Sequence, residues 1–288
     1  MIDLHAIAEM PERDAPPAIA ALYAEMREAL EMPLVNLIYR HFATHAGFLP
    51  WAWSVVRPLA ASGALQSLAQ RLCGRVQDRV APHAPAPLND NMLKQHGLDA
   101  AAACAIGEFI EFYNRGNCMN VLVMKLLLKT LDEPSAKGAQ TAEQPRSARR
   151  SARAAVHVPP IPAVGSLSDT DRSLVAELNR YGEPGEPQAL ASLYRHAAVW
   201  PGCLALWRML LGPLESDGFL DQMRRLTGET AVALAAELVP PRGLAARPPT
   251  EARLGATIES FSSVTICKMI PIGLLLAQAF GGDSRDGC

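Results

Sequence analysis

Apolar residues recur along this chain mostly at three- and four-residue spacing. Ala18, Leu22, Met26, Ala29 and Leu30 form one such series, and Leu254, Ile258, Phe261, Thr265, Met269 and Ile272 continue the same period. That spacing gathers the residues on one face of an α-helix. Ala, Leu, Met, Glu and Arg, all good helix formers, dominate these segments. No stretch combines β-branched enrichment with strict alternation, so the pattern predicts an all-α protein. Asp169 or Asp171 marks a helix start ahead of Leu174–Leu178. Pro82, Pro85 and Pro87 mark one loop, and Pro240, Pro241, Pro248 and Pro249 another, because proline has no N–H to give to a helix.

The helical pattern occurs twice. Residues 31–68 align without a gap on residues 186–223 at an offset of 155. Glu31/Glu186, Tyr39/Tyr194, Arg40/Arg195, His41/His196, Ala43/Ala198, Gly47/Gly202, Leu49/Leu204, Pro58/Pro213, Leu59/Leu214, Gly63/Gly218 and Leu65/Leu220 match. Residues 106–128 align on 254–276 at an offset of 148, through Gly107/Gly255, Ile110/Ile258, Glu111/Glu259 and the triplets Leu126–Leu128 and Leu274–Leu276. Shared Gly and Pro positions do not follow from an Ala/Leu-rich composition, which favours a duplicated module over two similar helix sets. The expected organisation is a first repeat over 17–131, a linker over 132–169 and a second repeat over 170–282, with about five helices in each repeat. Pro58 and Pro213 are expected to end or kink a helix, and Gly63 and Gly218 to mark helix boundaries. Two such modules can pack as an intrachain dimer about a pseudo-two-fold axis, with a ligand cavity between facing helices.

The linker carries Arg146, Arg149, Arg150 and Arg153, then Pro159-Pro160-Ile161-Pro162. It reads as a solvated connector with a basic patch and a polyproline-like stretch. The tail from Gly281 to Cys288 reads as loose.

Composition narrows the class. The chain has 288 residues, 49% of them hydrophobic, and a net charge of -2. That is a globular balance with ample core, and it lacks the basic excess of a general nucleic-acid binder. Cys73, Cys104, Cys118, Cys203, Cys267 and Cys288 include no C-x-x-C pair. A disulfide framework is not expected, and the compartment reads as reducing. The N-terminus shows no secretory pattern. The longest apolar stretch, about 269–280, is interrupted by Pro271 and Gln278 and is shorter than the ~20 residues of a membrane span. The expectation is a cytoplasmic protein with neither nucleic-acid nor membrane partners.

The common nucleotide-binding, zincin and serine-hydrolase motifs are absent from the sequence. His41 and His45 stand at i, i+4, a spacing that suits a metal, but Trp200 replaces the second histidine in the other repeat. Tyr39-Arg40-His41 and Tyr194-Arg195-His196 form a repeated trio. Its arginines could clamp a carboxylate, but a residue kept in both copies more often serves the shared architecture, for example in a salt bridge to Glu31 or Glu186. Polar residues that differ between copies are more telling. Asn36 aligns with Ala191, Leu37 with Ser192, and Tyr113–Asn117 with Phe261–Thr265. Asn114 and Asn117 stand at i, i+3 and are expected on one helix face, where buried amides need a partner.

The segment Met32–Trp53, with Arg40, Ala43-Thr44, Gly47, Leu49-Pro50 and Ala52-Trp53, resembles the first-repeat signature of the group I 2-haloacid dehalogenases. Asn114, Gly116 and Asn117 resemble that family's Asn-x-Gly-Asn segment, and Trp200-Pro201 its second-repeat Trp-Pro pair. The resemblance implies an all-α pseudo-dimer, related in fold to AhpD-like helical proteins, that hydrolyses the carbon–halogen bond of short 2-haloacids. In that family an Asp activates the attacking water without metal or cofactor, and an Asn, matched here by Asn114, holds it. The family's Asp falls on Leu193, next to Ser192, and its aromatic pocket residues fall on Leu34 and Leu37. The resemblance therefore implies catalytic roles for Asn114 and Ser192. Leu34, Asn36, Leu37, Arg40, Asn117, Leu193 and Arg195 would bind a small organic acid, with Arg40 or Arg195 on its carboxylate. The missing Asp leaves a second reading open, a non-catalytic relative that binds a small acid or a protein partner. A homodimer of such pseudo-dimers is compatible with either.

Overall fold

A computed structural model describes residues 7–132, 159–187, 189–241, 244, 248 and 252–281. Helix α1 (Pro17–Leu30) starts on Pro17, where a missing N–H costs nothing. Helices α2 (Leu37–Phe42), α3 (Phe48–Ala61) and α4 (Ala64–Val80) follow in close succession. Helix α5 (Asp90–Gln95) is capped by the Asn89 side chain, which accepts from the Met92 N–H. Helix α6 (Ala100–Asp132) closes the first half. The second half contains α7 (Asp169–Leu178), α8 (Ser192–Ala197), α9 (Cys203–Ser216), α10 (Phe219–Ala235), α11 (Ala252–Ser260) and α12 (Ile266–Phe280). One π-helical turn, Phe261–Thr265, joins α11 to α12. The described residues contain no strand, so the chain is all-α. Each half holds six helices among the described residues, where the sequence pattern predicted about five. The arginine run of the linker lies outside the described residues.

Helix boundaries recur at the sequence offset. Helices α2 and α8 have 6 residues each, α3 and α9 have 14, and α4 and α10 have 17. Gly47 and Gly202 precede α3 and α9, and Gly63 and Gly218 precede α4 and α10, all at positive φ. Gly63 and Gly218 thus stand at both boundaries, one residue past the C-caps of α3 and α9 and directly before α4 and α10, as expected of boundary glycines. Pro58 and Pro213 are tolerated inside α3 and α9, one turn before each helix stops.

Helices α4, α6, α10 and α12 pack on one another and form the centre, two from each half. Their facing residues, including Leu126, Leu127, Leu275 and Leu276, are fully buried. The most extensive packing lies between α6 and α12. A Cβ placed on Gly273 would overlap the Asn114 side chain, so a larger residue there has to displace that buried amide. Lys268 of α12 is completely buried, paired with Glu183 and donating to the Asn179 carbonyl. The continuous helical run Arg253–Phe280 is long and apolar enough to cross a bilayer, unlike the shorter stretch read from sequence, yet 78% of its most apolar window is buried inside the fold. It is packed as a core helix. Cys73, Cys118, Cys203 and Cys267 are free thiols, whereas Cys104 is disulfide-bonded, a bridge that the cysteine pattern did not suggest.

Two glycines separate backbone strain from collision. Gly63 (φ +78) has open space where a Cβ would project, with nothing within 4 Å, whereas a Cβ on Gly202 (φ +84) would collide with the His96 carbonyl. Gly63→Ala should therefore cost about 1–2 kcal/mol of left-handed strain alone. Gly202→Ala should cost clearly more, as read by urea unfolding midpoints. Equal losses would show that the His96 contact yields freely.

Candidate functional site

The trio repeated in α2 and α8 sets the surroundings of the site. In α2, His41 Nδ1–H donates to the Ala8 carbonyl at 2.7 Å, and the Met10 N–H donates to the Arg40 carbonyl at 3.0 Å. In α8, Arg195 donates twice to the Pro162 carbonyl, at 3.1 and 2.9 Å, and His196 Nε2–H donates to the Pro159 carbonyl at 2.5 Å. Each trio thus pins an extended segment, residues 8–10 in one half and 159–162 in the other. The two arginines also meet at one carboxylate. Glu9 sits 2.6 Å from Arg40 Nε and 3.7 Å from Arg195 Nη1. The carboxylate expected from sequence for these arginines, Glu31 or Glu186, is replaced by Glu9, which reaches them because the N-terminal segment folds back over α2. Tyr39 and Tyr194 are buried, and their hydroxyls have no hydrogen-bond partner among the described residues.

Beside this cluster lies a pocket of about 470 Å3, counting its open mouth. Seven of the sequence-derived site residues line it: Leu34, Asn36, Leu37, Arg40, Asn117, Ser192 and Leu193. Positions that align at the sequence offsets line it together, namely Asn36 and Ala191, Leu37 and Ser192, Tyr113 and Phe261, Asn117 and Thr265. At most of these pairs one half presents a polar group and the other an apolar one. The π turn aligns with Tyr113–Asn117, so α6 is regular where its counterpart is widened. Such turns are common at functional sites.

Asn114 and Arg195 do not line the pocket. Asn114 is buried against Gly273, and neither its Oδ1 nor its Nδ2 has a hydrogen-bond partner among the described residues. An α-helix turns about 100° per residue, so Tyr113, Asn117 and Asn120 fall within about 60° of one another. Asn114 lies about 60° beyond that stripe. The i, i+3 pairing of Asn114 with Asn117 therefore splits between the helix interface and the pocket. Asn120 and Tyr113 are site residues that the sequence reading passed over; their i, i+4, i+7 spacing with Asn117 was the available signal.

No Asp or Glu is among the lining residues, and the position matched to a catalytic Asp presents the buried Leu193 side chain. Ser192 Oγ and Asn120 Nδ2 are buried without partners among the described residues. Arg40 gives one bond to Glu9 and one from Nη1 to the Val35 carbonyl. A guanidinium has five N–H donors, so capacity remains for a pocket-bound acceptor. Arg195, by contrast, is committed to Pro162 and Glu9 and stands outside the pocket. The site thus offers several neutral donors and acceptors, one guanidinium edge and an apolar wall of Leu34, Leu37, Ile266 and Met269.

Tyr113 donates its hydroxyl to His196 Nδ1 at 3.3 Å. Burial pushes the His196 imidazole down to about 4, and burial also raises the Tyr113 hydroxyl well above its usual range. Both groups are neutral near pH 7. Burial likewise lowers His41.

No protein-family model matches the chain, and no curated protein matches it. Solved structures do. A complex of D-2-haloacid dehalogenase with L-LA superposes with a TM-score of 0.76 at 17% identity, covering 96% of this chain and 98% of that one. A complex of a D-2-haloacid dehalogenase mutant with D-2-CPA gives 0.71 at 17% identity, covering 96% and 97%. A crystal structure of a D-2-haloacid dehalogenase mutant gives 0.77 at 16% identity, covering 96% and 98%. The chain has the all-helical fold of these dehalogenases.

The depressed His196 predicts a pH dependence. The unfolded imidazole binds a proton near pH 6.5 and the folded one only near pH 4. The contribution is therefore complete above pH 6.5 and is lost as the pH falls toward 4, by up to about 3 kcal/mol. Urea unfolding of wild type and His196→Gln at pH 7 and pH 4.5 should show the difference between them shrinking at the lower pH. An unchanged difference would mean that His196 titrates normally.

Proposed function

We propose that the pocket takes a short 2-haloacid and lets water displace its halide. The carrying observation is that the sequence-matched residues Leu34, Asn36, Leu37, Arg40, Asn117, Ser192 and Leu193 converge on one small cavity between the two halves. Support also comes from the fold shared with D-2-haloacid dehalogenases. In this reading the acid's carboxylate accepts from Arg40 and from neutral donors such as Asn117 and Ser192. Its C2 substituent lies against the apolar wall. The water oxygen attacks C2, the carbon–halogen bond breaks, halide leaves, and a 2-hydroxyacid forms once the water gives up a proton. Asn114, buried at Gly273, acts in this reading by fixing the α6–α12 crossing rather than by touching the water.

The same reading takes the chain as a fused duplicate packed about a pseudo-two-fold axis, working as a cytoplasmic protein on small acids without a cofactor. The matching helix lengths in the two halves support it. A second reading, binding of a small acid without turnover, is favoured by the absence of Asp and Glu from the pocket lining.

Chloride release from 2-chloropropionate, followed with an ion-selective electrode, separates the two readings. Turnover is the expected outcome. Calorimetric binding without chloride release selects the second reading, and absence of both sinks the acid pocket itself. Leu193→Asp should raise chloride release by about 10²-fold if a carboxylate at this position can serve as general base.

A further inference from the structure

The pocket lining offers no carboxylate, so the haloacid reading needs another group to accept the proton of the attacking water. Tyr113 lines the pocket, and its hydroxyl meets His196 Nδ1. A carbonyl oxygen only accepts, so the contact with Pro159 fixes the proton of His196 on Nε2. Nδ1 is then a bare lone pair, and the Tyr113 hydroxyl donates to it. The tyrosine oxygen keeps its own lone pairs as acceptors. His196 is completely buried, walled by the rings of Phe109 and Trp200, so bulk water does not compete for Nδ1.

We propose that Tyr113 is the group that takes the water's proton in this pocket and that His196 stands behind it as the positioning base. The proposal rests on the haloacid reading. In the step, water attacks C2 and the halide departs with the bonding pair. The water's proton moves to the Tyr113 oxygen while the phenolic proton moves to His196 Nδ1. The imidazolium so formed is held by the Pro159 carbonyl through Nε2–H and later returns its proton through the Tyr113 hydroxyl to water that refills the pocket once the product has left. No oxidant, metal or second substrate is required.

The charges around the pair are unequal in effect. Arg40 of α2 and Arg195 of α8 lie near Tyr113 and favour negative charge on its oxygen. Arg195 disfavours charge on His196. Glu9, bound to both arginines, offsets part of that cost. A histidine held near 4 has about the basicity of an ordinary aspartate, the residue type missing at Leu193. The pair exists in one half only. The position equivalent to Tyr113 is Phe261, and the histidine equivalent to His196, His41, spends its Nδ1 on the Ala8 carbonyl. An arrangement needed only for the shared architecture would recur in both halves.

The test uses the full chain with 2-chloropropionate. Wild type should release chloride with a single acid limb near pH 4. Tyr113→Phe keeps the ring and removes the proton path, so kcat should fall about 10²-fold with KM changed by less than about threefold. His196→Asn leaves an acceptor for the hydroxyl but no titrating base, so the limb near pH 4 should disappear and kcat should fall. Circular dichroism establishes that each variant is folded. Unchanged kcat in folded Tyr113→Phe overturns the pair and leaves the haloacid reading standing. An acid limb near 6.5 in wild type overturns the role of His196 whether or not a variant folds, and so does a limb near 4 retained in folded His196→Asn. Folded wild type that releases no chloride overturns the pair and the haloacid reading together.

Discussion

The crossing of α6 and α12 constrains everything around the site. Gly273 lets the backbone of α12 approach until the Asn114 side chain lies where a Cβ would otherwise sit. That approach brings the paired leucines of the two halves into one core and closes the central group of α4, α6, α10 and α12. Apolar burial of this kind is worth roughly 25 cal/mol per Å2, and it depends on the helices staying close. A methyl group at Gly273 would have to displace an amide that is itself buried without partners among the described residues. The π turn ahead of α12 contributes Phe261 and Thr265 to the cavity lining, and α6 contributes Tyr113, Asn117 and Asn120.

A second constraint is electrostatic. Two largely buried guanidiniums, Arg40 and Arg195, share the single carboxylate of Glu9. Removing one partner of a buried ion pair typically costs about 3–5 kcal/mol, because a charge is left uncompensated. The cluster therefore holds the N-terminal segment over α2 and turns one edge of Arg40 toward the pocket. The same Tyr-Arg-His trio does related work in both halves, pinning an extended segment through backbone carbonyls, yet the details differ. His41 uses Nδ1 and His196 uses Nε2. That choice of nitrogen leaves one imidazole with a free acceptor facing Tyr113.

Positions that align between the two halves line the cavity together, but their chemistry differs: Asn36 aligns with Ala191, Tyr113 with Phe261, and Leu37 with Ser192. Core positions away from the cavity, such as the leucine triplets of α6 and α12, are alike. At the cavity both halves supply polar and apolar groups: Leu34 and Leu37 stand beside Asn36 and Arg40 in the first half, and Ser192 and Thr265 beside Ile266 and Met269 in the second.

The all-helical class was legible along the chain, and so was the offset of 155 at which helices of equal length recur. Apolar spacing, glycine and proline are local signals, and helix formation obeys local rules. Seven of the fourteen cavity-lining residues were named along the chain as well, through the motifs that carry the family resemblance. Glu9 as the partner of both arginines was not. A contact between residues 9 and 195 carries no local signature and arises only once the N-terminal segment has packed over α2. The division of the asparagines, with Asn114 turned to Gly273 and Asn117 and Asn120 turned to the cavity, also came from packing. Three residues along a helix leave an angle of about 60°, and the neighbouring helix determines which side of that angle is interface and which is open space.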